Sequence, residues 1–277
     1  MPSGAEKHPA SSGGTWFARL RDLPNDSPLK AVLVTLAVCL VASTLVAGSA
    51  VLLKPAQEAN KERERLGRIG EIATLLPGVE TAIRMGDRVR MEARVVDLAS
   101  GRYVPTIDPA DFDPRRAAKD PALSVAIPPA RDLAQIGRRA AFAVVHLVRE
   151  EERLQAVILP VHGRGFASML YGYLGLSGDL SRVLGLSFYE HGETPGLGAL
   201  IDDPGWRSQW QGKKVWIGAD VPGIGVAEGP VAPGSPEADY LVEGLTGATW
   251  TSRGVTNLLR FWLGEDGFGP YLRRSPE

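Results

Sequence analysis

Hydrophobic and polar positions are unevenly distributed along this chain. From Ala31 to Leu53 the sequence AVLVTLAVCLVASTLVAGSAVLL runs 23 residues without a charge. As a helix rising about 1.5 Å per residue, that run is long enough to cross the hydrocarbon core of a bilayer. Ala47-Gly48-Ser49-Ala50 resembles a cleavage site of small residues. The apolar run is nevertheless longer than a usual signal-peptide core and continues through Val51-Leu52-Leu53, so a retained anchor over residues 29–54 is expected. Residues 55–72, PAQEANKERERLGRIGEI, are charged and helix-permissive. They predict a helix continuing out of the membrane with a solvated face.

Farther along, the period changes. Residues 77–135 are broken by Pro105, Pro109, Pro114, Pro121, Pro128 and Pro129 and read as short elements joined by ordered loops. AFAVVHLV and LQAVILPV flank the polar stretch Arg149–Arg153 and predict a β-hairpin. FASMLYGYLGL and RVLGLSFYE, separated by Ser177-Gly178-Asp179, add two more strand-like runs. An antiparallel meander of three or four strands is the simplest arrangement. A final helix is expected near 252–263, where Val255, Leu258, Leu259 and Trp262 make one apolar stripe. The predicted class is α+β: a flexible tail over 1–28, a transmembrane helix over 29–54, and one soluble domain over 55–277.

Charge and composition narrow the function. The 31 Lys+Arg nearly balance the 32 Asp+Glu, which leaves no electrostatic footprint for general nucleic-acid binding. The one cysteine, Cys39, lies inside the apolar run, which excludes an intrachain disulfide framework, a cysteine-cluster zinc site and a CxxC redox pair. Arg19, Arg21 and Lys30 precede the span while Lys54, Lys61, Arg63, Arg65 and Arg68 follow it. Positive charge on both sides leaves the orientation of the large domain open.

Common catalytic signatures are missing: there is no HExxH, GxSxG or GxxxxGK[ST]. His8, His146, His162 and His191 are scattered, and His146 sits in an apolar strand pattern typical of a core or edge histidine. Gly163-Arg164-Gly165, a glycine pair after a strand, reads as a turn, with a phosphate site as the lesser alternative. Two segments are richer. His191-Gly192-Glu193-Thr194-Pro195-Gly196-Leu197-Gly198 packs three glycines, a proline and a carboxylate into a tight loop, which is either an ordinary turn or a place where a planar ligand approaches the main chain. Glu243-Gly244-Leu245-Thr246-Gly247-Ala248-Thr249-Trp250-Thr251-Ser252 stands immediately before the last helix. There Thr251 or Ser252 would serve as N-cap and Gly247 as a turn residue. The same geometry suits a phosphate at Thr249, where the unsatisfied amides and dipole of a helix N-terminus stabilise an anion and Arg253 adds charge.

The segment TGAT followed by WTSRGV resembles the flavinylation motif Asp-x-x-Ser/Thr-Gly-Ala-Thr of the FMN-binding domain family. VILPVHGRGFASM, YEHGETPGLGALIDDPGWRSQWQGKK, LTGATWTSRGV and FWLGEDGFGP, in that order, are similar to the branch of that family that serves sodium-translocating NADH:quinone reductases. The resemblance covers nearly the whole chain and is weakest over the first 28 residues. It implies FMN held covalently through a phosphoester to Thr249, with Thr246, Gly247 and Ala248 completing the attachment loop. It also implies that Glu193, Thr194, Gly196 and Leu197 lie near the isoalloxazine, with Gly165 to Ser168 as a further flavin wall. One departure is Glu243, where the family usually has Asp.

The resemblance further implies a bacterial inner-membrane protein with a single span and a periplasmic domain. It would assemble with the other subunits of the reductase and be matured by a separate flavin transferase. It would act as an electron carrier, with no catalytic residue or metal of its own, between NADH and ubiquinone in a sodium-exporting complex. Two alternatives remain at this point. One is a G-like subunit of the related ferredoxin–NAD electron-transport complex, and the other is a non-redox anchored scaffold whose TGAT loop is only a helix cap.

Overall fold

The computed structural model describes residues 28–74, 89–218 and 220–274. The tail expected over 1–28, apart from Pro28, and the start of the proline-rich stretch, 77–88, lie outside the described residues. The chain divides into two compact units, one ending at Asn60 and one beginning at Lys61. Helix α1 (Pro28–Thr74) contains the apolar run, and Pro55 lies within it. Its stretch Pro28–Ala56 is, among the described residues, the one helix long and apolar enough to cross a membrane, with a mean hydropathy of 2.4 and nothing buried against the rest of the unit. Leu36, Leu40, Leu45, Val46 and Val51 are all exposed along it, as is Cys39. An apolar helix with exposed side chains all round is suited to lipid.

The second unit is built on a six-stranded antiparallel sheet. In chain order its strands are β1 (Val89–Asp97), β2 (Arg102–Tyr103), β5 (Phe142–Glu150), β6 (Arg153–Arg164), β7 (Met169–Ser177) and β8 (Val183–Glu190). The spatial order is β2-β1-β5-β6-β7-β8. The expected meander is β5 to β8. It is joined by β1, which pairs along its full length with β5 from Val89↔Glu150 to Asp97↔Phe142. VRMEARVVD does not read as a strand because Arg90, Glu92 and Arg94 interrupt it, and its buried residues, Val95 and Val96, come only near its end. Between β2 and β5 lie α2 (Pro114–Lys119), β3 (Ser124–Ala126) and β4 (Arg138–Ala140). These are the short elements expected from the prolines. Asp113 caps α2 by accepting from the Arg115 and Arg116 amides.

After β8 come a 3-10 turn (Gly198–Asp202) and α3 (Pro204–Ser208). The two-residue strands β9 (Trp216–Ile217), β10 (Val221–Pro222), β11 (Gly225–Val226) and β12 (Leu241–Val242) then lead to α4 (Thr249–Leu263) and the one-turn α5 (Gly269–Leu272). Helix α4 lays its stripe of Val255, Leu258, Leu259 and Trp262 into the main core with Val157, Leu159 and Val161 of β6. The Trp262 indole nitrogen donates to the His162 carbonyl at 2.6 Å, which fixes the helix against β6. A smaller cluster of Val148, Ala156, Ile158 and Tyr173 buries part of the opposite sheet face. With apolar cover on both faces, β6 and β7 show long buried runs instead of simple alternation.

Candidate functional site

Three loops meet at the N-terminal end of α4, and Glu193 ties them together. Its side chain is 5% exposed. One oxygen, Oε1, accepts the amides of Ala167 at 3.0 Å and Ser168 at 3.2 Å; Oε2 accepts the Phe166 amide at 3.3 Å and the Thr251 hydroxyl at 2.5 Å. The first three donors belong to the β6–β7 loop and the fourth to the first turn of α4. One carboxylate therefore joins the loop after β6, the loop after β8 and helix α4. Hydrogen bonds to a charged, desolvated acceptor are among the stronger ones a fold makes.

The packing around this carboxylate leaves no room for larger side chains. A Cβ on Gly165 would lie 2.6 Å from Glu193 Oε1, and one on Gly198 would lie 2.6 Å from the Thr251 hydroxyl. The Ser168 hydroxyl accepts the Gly192 amide at 2.6 Å. The Glu193 amide in turn donates to His191 Nδ1 at 3.2 Å, and His191 Nε2 meets Asp202 at 2.8 Å. With Nδ1 accepting, the ring carries its proton on Nε2 and donates to Asp202. The backbone of residues 191–193 is thus held on both sides.

Helix α4 begins at Thr249, not at the positions expected from Thr251 and Ser252. Its N-cap is Ala248, which offers no side-chain acceptor. Thr251 and Ser252 are buried inside the first turn, at 1% and 3% exposure. Their hydroxyls are used in tertiary contacts: Thr251 donates to Glu193, and Ser252 accepts the Leu245 amide at 3.2 Å. The capping position is left to alanine because these two hydroxyls satisfy buried partners first. The consequence is an open helix N-terminus, whose leading amides have no intrahelical acceptor.

The TGAT loop stands over that open end. Gly247 adopts φ +76°, a left-handed conformation that glycine takes without penalty. A Cβ there would also press on Leu197, 3.0 Å from its Cδ2. Thr246, Gly247 and Thr249 are exposed, while Ala248 is buried. Of the residues singled out after β8, Glu193 is buried and wholly engaged, whereas Thr194, Gly196 and Leu197 are exposed. The Thr194 carbonyl accepts the amides of Leu197 and Ala199, which closes that loop. Arg253 does not lie free beside Thr249; it pairs with Glu228 at 2.6 Å and sits 5.6 Å from the Trp250 ring centroid. Gly163 is a packing position, with a Cβ there falling 2.6 Å from the Leu258 Cβ.

The histidines are not gathered into a site. His162 stacks on Tyr171 and tilts against Trp262, and burial lowers its pKa from the usual 6.5 to about 4, helped by the nearby charge of Arg115. Among the described residues, no group of three or more His, Cys, Asp or Glu side chains forms a metal site.

The FMN-binding domain family matches residues 165–264, the span from the Glu193-bound loop to the end of α4. Over nearly the whole chain, the C subunit of the Na(+)-translocating NADH-quinone reductase of Pseudomonas aeruginosa is 46% identical across 251 residues, covering 89% of this chain and 95% of the relative. The Yersinia pestis protein of the same name is 41% identical across 256 residues, covering 91% and 95%. This chain belongs to the NqrC family, the C subunits of the Na(+)-translocating NADH-quinone reductases. The crystal structure of Shewanella oneidensis NqrC superposes with a TM-score of 0.62 at 33% identity, over 71% of this chain and 88% of that one. The structure of the corresponding subunit from Parabacteroides distasonis, 24% identical, shares the fold with a TM-score of 0.55 over 79% of this chain and 94% of that one.

In this NqrC-family chain the residues present fit an FMN phosphate. The acceptor-free N-terminus of α4, the exposed Thr249 hydroxyl and the side-chain-free Gly247 leave both amides and space for it. Phe166, Leu197 and Trp250 are large, exposed and apolar, at 61%, 43% and 65%, and each belongs to one of the three loops or the first turn. Such side chains would flank a flat ring. Thr251 was not singled out from sequence as a tertiary partner, although the signal is present. It lies on the apolar stripe of α4, at i−4 and i−7 from Val255 and Leu258, where a hydroxyl needs a buried acceptor.

Proposed function

We propose that Thr249 carries FMN through a phosphoester and that the chain serves as the membrane-anchored flavin subunit of a sodium-translocating NADH:quinone reductase. The observation that carries this reading is the exposed Thr249 hydroxyl at the first residue of a helix with no capping side chain. When bound, FMN supplies one- and two-electron redox chemistry that no side chain of this protein provides. The chain's own part is to hold and orient. The open amides of α4 and the helix dipole would hold the phosphate. Thr246, Gly247 and Ala248 shape the attachment loop. Glu193 keeps the 165–168 and 193–198 loops in register, so that Phe166, Thr194, Gly196 and Leu197 present fixed walls and exclude water from the ring.

Attachment is made by a separate flavin transferase. Glu243, in the place usual for Asp, has its backbone clamped: its amide donates to Gln209 at 2.9 Å and its carbonyl accepts the Trp206 indole at 3.0 Å. Its exposed side chain stays accessible to such an enzyme. In this reading residues 29–54 anchor the protein once in the bacterial inner membrane. Residues 55–277 form the FMN domain on the periplasmic side, beside the other subunits, passing electrons on their way to ubiquinone while sodium is exported.

Intact mass of the purified chain, followed by peptide mapping, tests the attachment. A gain equal to one FMN phosphoester on the peptide holding Thr249 is expected. Thr249→Ala should remove the ultraviolet-excited flavin fluorescence of the denatured chain and change stability by less than about 0.5 kcal/mol, since the side chain is exposed and caps nothing. Label that persists in Thr249→Ala would move the site elsewhere.

A further inference from the structure

A cavity of about 700 Å³ is lined by residues of β5 to β8, α2 and β4, with Trp262 of α4 also on its wall. That volume is within the usual range of small-molecule pockets. Tyr171, Tyr173 and Tyr189 provide aromatic walls, and His162 stacks on Tyr171 at an interplanar angle of 22°. Two polar groups in this wall are left over. Among the described residues, neither the His162 imidazole nor the Tyr171 hydroxyl has a hydrogen-bond partner, although His162 is mostly buried. Neither group is sealed from the cavity, so both are available to a molecule bound there.

The charges around the opening are one-sided. Arg115 sits 3.7 Å from the Tyr171 ring centroid and is neutralised by Glu190 at 2.8 Å. Arg138 bonds only to the Ser124 hydroxyl and carbonyl, and Lys119 has no acid against it among the described residues. Asp113, the one acid lining the cavity, is turned to the α2 N-terminus, where its Oδ1 accepts two backbone amides. Aromatic walls below, donors within and uncompensated cations at the rim describe a particular ligand chemistry. The ring would lie on the tyrosines, and an anionic group would meet Arg138 and Lys119.

We propose that this cavity is a binding site for a planar aromatic carboxylate, separate from the residues around Thr249. The tyrosine and histidine rings supply the stacking surface, the Tyr171 hydroxyl and His162 supply directional hydrogen bonds, and the cationic rim selects the acid over neutral analogues.

Calorimetric titration of the full-length chain in detergent with 2-naphthoate, and with 2-naphthalenemethanol as neutral comparator, tests this. The carboxylate should bind with a dissociation constant below about 1 mM and about tenfold more tightly than the alcohol, the size of one charge-assisted contact. Lys119→Gln with Arg138→Gln, both exposed, should erase that difference. Tyr171→Phe should weaken the carboxylate roughly three- to tenfold. Met169→Trp, on the cavity wall, should abolish binding while circular dichroism confirms a folded chain. Thr249→Ala should bind 2-naphthoate unchanged, so that the outcome is independent of flavin attachment. Equal affinities for acid and alcohol, no heat with either ligand at millimolar concentration, or heat that survives Met169→Trp and so reports partition into micelles, would each overturn the proposal.

Discussion

Glu193→Ala is the substitution with the largest expected effect on the site. It removes the single acceptor of the Phe166, Ala167 and Ser168 amides and of the Thr251 hydroxyl. Each buried donor left without a partner costs about 1–3 kcal/mol. The exposed Phe166 end of the loop can turn to water, so the four costs do not add in full. A loss of about 3–5 kcal/mol is expected, in line with breaking other buried charged networks. For a unit of this size that lowers the melting temperature by roughly 10 °C.

Glu193→Gln is a milder probe of the same contacts. A carbonyl oxygen in the Oε1 position keeps the Ala167 and Ser168 amides, and the amide nitrogen in the Oε2 position can donate to Thr251, whose hydroxyl turns to accept. Only the longest bond, from Phe166 at 3.3 Å, is lost outright, so the cost should fall to about 1–2 kcal/mol. Thermal and urea unfolding of the full chain followed by tryptophan fluorescence reads both variants. Adding Thr251→Val to Glu193→Ala should cost much less than the same change in the native chain, because the pair shares one bond. A Glu193→Ala penalty under about 1 kcal/mol, or additive effects of the two substitutions, would falsify the role assigned to this carboxylate.

Other positions give sharper signs than magnitudes. Gly254→Ala in mid-helix ordinarily stabilises by up to about 1 kcal/mol. Here the new Cβ would lie 2.5 Å from the Arg164 carbonyl oxygen, so urea unfolding should instead show a loss of about 1–3 kcal/mol. His162 is held neutral with a pKa of about 4 against 6.5 when unfolded. Between those values the unfolded chain binds the extra proton, so stability falls as pH drops from 6.5 toward 4. The penalty is about 2 kcal/mol at pH 5, and His162→Gln should flatten the difference in urea midpoint between pH 7 and pH 5 relative to the native chain. Gly247→Ala, at φ +76° and against Leu197, should cost about 1–2 kcal/mol and slow flavin attachment, read as fluorescence gained per unit time with a flavin transferase.

Much of this protein is legible in its residue order because it depends on local periodicity. The 23 uncharged residues from Ala31 specify a helix suited to lipid whatever follows them. The strand-like runs from Ala141 to Glu190 and the stripe from Val255 to Trp262 specify a meander and the helix that covers it. The glycine-rich loops and TGAT are visible because turns and close backbone approaches need particular residues.

Tertiary structure decided the rest. The first sheet neighbour of β5, β1, was hidden because charged residues interrupt it and its pairing partner is about fifty residues away, which no local period records. The start of α4 was decided the same way. Thr251 and Ser252 have the composition of caps, but a buried carboxylate and a buried amide claim their hydroxyls, leaving Ala248 at the cap and the helix end open. Glu193 stands out in the sequence as one acid in a glycine loop. Only folding brings three backbone amides and a hydroxyl around it, because these come from separate parts of the chain and gain a partner only when the sheet and α4 close together. Local order specified which elements form. The need to satisfy buried polar groups at long range decided how the loops between them meet.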